Sequence, residues 1–170
     1  SNYLNLDIRK EPFLIFIQHP VSNFLAETKK HIRISLSAID SLNLPTIVIS
    51  SNSDPGNLVI KSEYNKYVFK NKKVRYFENI PEIFFINIMK KASVLVGNSS
   101  MGVLEAPLMK LPVVNIGYRQ RDRQNAGNII FVKHDKNKIV KAIKKSLYDK
   151  RYLKKIKKQK NPYGTSGASK

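Results

Sequence analysis

Short, continuous apolar runs bounded by turn residues restrict this chain more than any other feature of its sequence. Phe13-Leu14-Ile15-Phe16-Ile17 shows no alternation of polar and apolar side chains, so it reads as a central strand buried on both faces. It gives way to a turn at Gln18-His19-Pro20, because Pro20 drives His19 out of the α region. Residues 46–50, 74–77, 94–96, 111–116 and 128–132 read as further strands. Segments of helical character lie between and after them. The first, 27–42, carries Ile32, Leu36 and Ile39 on one face; 57–69, 81–91, 100–109, 135–147 and 149–158 follow. Strands that alternate with helices imply an α/β fold, a doubly wound parallel sheet with right-handed crossovers. Ligands of such sheets bind beyond the carboxyl ends of the strands, where the strand order reverses.

Three strand ends carry chemistry. The first is His19. The second is Gly97-Asn98-Ser99-Ser100, where a buried strand meets a tight turn and a helix start. The first N–H groups of a helix lack partners and favour an anion, and Ser99 or Ser100 can cap the helix or donate to a phosphate oxygen. Gly102 removes a side chain where a ligand would approach, and Glu105 is too deep in the helix to cap it. A carboxylate there can accept from a sugar diol; an ordinary capped helix with a solvated Glu fits the same residues. The third is the loop 117–127, dense in Arg and Gln. Arg119 and Arg123 suit bidentate phosphate contact, Arg121 lies between them, and Gln120 either orients an Arg or is idle. A solvated loop is the alternative for these arginines, and a strand-end cap is the alternative for His19.

Composition removes several classes. A chain of 170 residues with 42% hydrophobic and 25% charged side chains fits one domain with a substantial core. Without cysteine there are no disulfides and no thiolate metal sites. No apolar run approaches the roughly 20 residues of a membrane span. The formal net charge of +19 invites a nucleic-acid reading. The excess is mostly Lys spread along the chain, however, and no nucleic-acid motif accompanies it. The Lys run at 154–160 reads as a solvated helix face. The three histidines are scattered, which argues against zinc, and His31 and His134 read as exposed.

Gln18-His19-Pro20, GNSSMGVLEAP at 97–107, LPVVNIGYRQRDR at 111–123 and NPYG at 161–164 together resemble the UDP-N-acetylglucosamine 2-epimerase family. The likeness covers nearly the whole chain, and Asn-Ile-Gly-x-Arg-Gln-x-x-Arg is similar to the hydrolysing branch. The resemblance implies a Rossmann-like domain, one half of a GT-B-type two-domain fold. It places the UDP-binding C-terminal domain at 1–160 and the start of a closing segment at 161–170, with the N-terminal domain absent from this sequence. It implies release of UDP and an N-acetylmannosamine-type sugar for sialic or legionaminic acid synthesis, through a glycal intermediate. By the resemblance, Asn98, Ser99, Ser100, Gly102, Glu105, Arg119 and Arg123 bind UDP, with Glu105 on the ribose hydroxyls. His19 stands near the reacting end of the substrate as the catalytic candidate. No cofactor and no metal are implied; UDP or a UDP-sugar is the ligand. The expected partners are that substrate, the missing N-terminal domain and a second copy in a homodimer, with neither nucleic acid nor membrane, in the cytoplasm. The fragment alone is expected to be inactive. Two other readings stay open: half of a UDP-sugar glycosyltransferase, and a non-catalytic basic binding module.

Overall fold

Among the described residues, six strands and six helices follow one another in the order that the apolar runs dictate. The structure is a computed structural model that describes residues 11–51 and 53–162. The strands are β1 (Leu14–Ile17), β2 (Thr46–Ile49), β3 (Val74–Phe77), β4 (Val94–Gly97), β5 (Val113–Ile116) and β6 (Ile129–Val132). The helices are α1 (Thr28–Asp40), α2 (Asn57–Lys70), α3 (Glu82–Lys91), α4 (Met101–Leu104), α5 (Lys136–Tyr148) and α6 (Lys150–Lys158). All strand pairs are parallel, in the order β3-β2-β1-β4-β5-β6. This is the Rossmann-like, doubly wound sheet that the alternation predicts. The winding reverses between β1 and β4, which lie side by side with Ile17 opposite Gly97. That pair defines the crevice where such folds hold ligands.

Both faces of the sheet are covered, which is why β1 has no polar face. Leu14 and Phe16 point into one layer with Ile32, Ile39, Ile60, Tyr64, Ile139 and Ile143, from α1, α2 and α5. Phe13, Ile15 and Ile17 point into the other with Ile88 and Met89 of α3, Ala106 and Leu111. Two part-buried ties add to this packing, one between helices α1 and α2 and one from α6 to the start of β6. Arg33 of α1 donates to both carboxylate oxygens of Glu63 on α2, at 2.8 and 3.1 Å. Tyr152 of α6 donates its hydroxyl to the carbonyl of Asn128 at 2.9 Å.

Two elements differ from the sequence expectation. The helix expected over 100–109 is two pieces: α4 ends at Leu104, and Ala106–Met109 winds as a 3-10 turn. Pro107 has no N–H to give Val103, and its ring crowds that carbonyl, so a regular helix cannot pass it. A second 3-10 turn, Ser22–Glu27, precedes α1 with no side-chain cap. Asp135 and Asp149 cap α5 and α6: Asp135 accepts from Lys138 N–H at 2.9 Å, and Asp149 accepts from Arg151 and Tyr152 N–H at 3.0 Å. The Lys side chains of α6 are exposed around a buried Ile156. Of the closing segment expected over 161–170, residues 163–170 lie outside the described residues, and with them half of the NPYG motif. Among the described residues, no helix is long and apolar enough to cross a membrane.

Candidate functional site

Gly97 makes the crevice possible. Its φ of +132° is rarely open to other residues, and a Cβ there would fall on the carbonyl oxygen of Ile17. The end of β4 thereby lies against the end of β1, and Asn98 bonds across. Its Oδ1 accepts from His19 N–H at 2.7 Å, and its Nδ2 donates to His19 C=O at 2.9 Å. The Asn98 amide, only 1% exposed, is thus committed at both ends to the backbone of His19. From the other face, the Tyr64 hydroxyl accepts from Gln18 N–H at 3.1 Å and lies 3.3 Å from Gln18 C=O, to which it donates. Burial holds the Tyr64 phenol well above the usual tyrosine range, so it remains a donor. Gln18 and His19 are therefore clamped by groups far away in sequence.

The turn after Asn98 is compact. Ser99 is buried and its Oγ is 3.4 Å from Met101 N–H, a weak cap; Ser100 makes no side-chain cap bond. Because α4 is a single turn, the macrodipole expected there is small, and what the turn can offer an anion is its local N–H groups and two hydroxyls. Gly102 needs a different explanation from the one its sequence position suggests. An added Cβ would meet Val113 Cγ1 at 2.8 Å, so the glycine is required by packing against β5 and not by room for a ligand.

Glu105, just past α4, is half-buried, and its Oε2 is shielded from solvent with no hydrogen-bond partner among the described residues. Burial raises its pKa above the ordinary carboxylate value, while the charge of Arg123 pulls the other way. A shielded carboxylate oxygen without a donor suits a ligand that brings hydroxyls.

The three loop arginines go three ways, a division invisible in their spacing. Arg119 reaches from the end of β5 toward the loop after β2, with its Nη2 3.6 Å from Asp54 Oδ2, an ion pair that passes over the strands between. Arg121 turns onto the Tyr118 ring, 5.3 Å from its centroid. Arg123 donates to Gln120 Oε1 at 3.1 Å, and Gln120 Nε2 donates to Asn98 C=O at 3.2 Å. Gln120 is 5% exposed although its neighbours on both sides are exposed. His19, Asn98, Ser99, Ser100, Glu105, Arg119 and Arg123 thus all lie along the carboxyl edge of the sheet.

The structure also gathers residues that sequence reasoning set aside. His31 and His134 are not exposed side chains: their rings stack at 3.7 Å with an interplanar angle of 6°. They border a hollow of about 130 Å³ with Val21, Phe24, Glu27 and Tyr118. Burial, then the charge of His31, lowers the His134 pKa from 6.5 to about 4. His31 is lowered too, by burial, although Glu27 lies 3.0 Å from its Nε2. His134 follows β6 closely, the same strand-end position that singles out His19; Tyr64, in mid-helix, carries no such signal.

Known proteins resemble this chain in sequence and in fold. A family model described as UDP-N-acetylglucosamine 2-epimerase matches residues 1–170. The chain is 36% identical over 129 residues to a GDP/UDP-N,N'-diacetylbacillosamine 2-epimerase (hydrolyzing) of Campylobacter jejuni, covering 75% of this chain and 33% of that protein. It is 32% identical over 153 residues to the polysialic acid biosynthesis protein P7 of Escherichia coli, covering 89% of this chain and 39% of that protein. The chain therefore spans between a third and two-fifths of the length of these relatives. Among solved structures, an S. aureus MnaA–UDP co-structure superposes with a TM-score of 0.75 at 19% identity, over 96% of this chain and 43% of that one, a likeness of fold. With a family model over its full length and relatives above 30% identity, the chain belongs to the UDP-N-acetylglucosamine 2-epimerase family.

Proposed function

We propose that this chain is the nucleotide-binding, C-terminal half of a GT-B-type hydrolysing UDP-N-acetylglucosamine 2-epimerase. One observation carries the reading: the switch between β1 and β4 has His19, the Ser99–Ser100 turn and two arginines on its rim, beside a shielded carboxylate oxygen of Glu105 that has no partner among the described residues. Glu105 would accept from the ribose diol. Ser99, Ser100, Arg119 and Arg123 would hold the diphosphate, and His19 would stand where the sugar joins it. The Campylobacter relative's name includes "hydrolyzing", which supports the same branch for this chain.

In that reaction the C1–O bond to UDP breaks as a proton leaves C2, and the electron pair of the C2–H bond becomes the C1=C2 double bond of a glycal. Water then adds across it: hydroxide to C1 and a proton to the opposite face of C2. The product is the 2-epimer, an N-acetylmannosamine-type sugar suited to sialic or legionaminic acid synthesis, and UDP leaves free. Negative charge develops on the departing diphosphate, so cations and N–H donors placed there stabilise the transition state more than the substrate. His19 would donate to that diphosphate or transfer a proton. The groups that act on C2 would come mainly from the N-terminal half.

Calorimetric titration of this chain with UDP, with UMP and a short DNA duplex as controls, at low and high salt, tests the proposal. Saturable UDP binding that persists in salt and is lost on Glu105→Ala supports it. Salt-sensitive duplex binding without UDP binding overturns it, because phosphate-backbone affinity falls steeply with salt.

A further inference from the structure

We infer that Gln120 is a positioning residue: it ties Arg123 to the β4 turn and so sets where that guanidinium stands relative to Glu105. The inference deepens the nucleotide-site reading above and rests on it. Gln120 is the one buried side chain in a run of exposed ones, Tyr118 to Gln124. Its amide is used at both ends, as a donor to Asn98 C=O at 3.2 Å and as an acceptor from Arg123 Nη1 at 3.1 Å. The orientation is forced: a guanidinium only donates and a carbonyl only accepts, so a flipped amide would lose both bonds. Asn98 in turn grips the backbone of His19 at 2.7 and 2.9 Å. Arg123, the turn before Ser99 and the exit of β1 thus form one bonded series through Gln120.

Neither neighbour in the loop can replace it. Arg119 is directed to Asp54 and Arg121 to Tyr118, and neither bonds to the β4 turn among the described residues. Without Gln120, Arg123 would be an exposed side chain on a loop, free to spread over many rotamers before meeting an anion. With it, the cation is held beside a carboxylate whose charge it already feels. A purely structural Gln120 would stabilise the loop but act on ligand affinity independently of Arg123, and the two roles separate in a double-mutant cycle.

The test uses Gln120→Ala and Gln120→Met, the latter keeping most of the volume without the amide, each alone and combined with Arg123→Ala. UDP affinity by calorimetry is expected to fall about tenfold in either Gln120 variant, but less than about twofold further when Arg123 is already Ala. Equal losses in both backgrounds would overturn the inference. A second readout needs no nucleotide. Carbon NMR titration of the Glu105 carboxyl is expected to show its pKa rising in Gln120→Met, as it does in Arg123→Ala, because the cation that lowers it is no longer held near. If Arg123→Ala moves Glu105 and Gln120→Met does not, the positioning role is wrong. A wild-type chain that binds no UDP counts against the site reading, and the Glu105 titration still decides the role of Gln120.

Discussion

A carboxylate and a glycine show how differently single residues are used in this crevice. Glu105 has a shielded oxygen without a partner among the described residues, so the fold gains nothing from its charge. Glu105→Ala is therefore expected to leave the melting temperature unchanged or slightly raised while weakening UDP binding about tenfold or more. Calorimetry beside a thermal melt checks both halves; unchanged affinity would remove Glu105 from the site. Gly97 is the reverse case, needed before any ligand arrives. Its positive φ and the Ile17 carbonyl at its Cβ position leave no room for alanine, and both obstacles are backbone, which cannot rotate away. Gly97→Ala is expected to cost about 4 kcal/mol or more, read by urea denaturation. A variant with wild-type stability would mean that β1 and β4 can separate at no cost.

Contacts between elements decide how stability responds to pH. The stack of His31 on His134 joins the first turn of α1 to the turn between β6 and α5, with Glu27, Lys30 and Tyr118 around it. The folded pKa of His134 lies at about 4, below the 6.5 of a free imidazole. The unfolded chain thus takes up a proton between those values that the folded chain does not, and stability falls as pH drops through that window. Glu63 adds a limb of the same sign at lower pH. The hydrogen bonds from Arg33 hold its pKa below the ordinary value, so its stabilisation is lost as pH falls further. His134→Gln is expected to flatten the limb between about pH 6.5 and about pH 4 while leaving the lower one, as seen by urea denaturation across pH. An unchanged limb would place the acid sensitivity outside the histidine pair.

At the scale of the whole molecule, a charge of +19 loads the fold with self-repulsion, concentrated on the exposed Lys faces of α5 and α6. Raising ionic strength from about 10 mM to about 150 mM shortens the screening length from about 30 Å to about 8 Å. The melting temperature is expected to rise by about 3 °C or more; a fall would point to attractive pairs outweighing the repulsion. Much of this architecture was legible in the sequence. Unalternating runs such as 13–17 can only be buried on both faces, and alternation with helical segments leaves a parallel sheet as the way to bury them. These are properties of neighbours along the chain, and so are the caps at Asp135 and Asp149 and the loops at the strand ends. Partnerships were not legible, because they join residues distant in sequence. Asn98 and His19 are 79 positions apart, yet only their meeting shows that the Asn98 amide is committed to backbone. The same holds for the three arginines, alike in sequence and separated by Asp54, Tyr118 and Gln120, and for two histidines that packing stacks on one another. Periodicity and turn chemistry determined the sheet and where its crevice opens. Tertiary packing alone decided which side chains face that crevice, because a side chain's partner is set by the strand order that brings distant ends together.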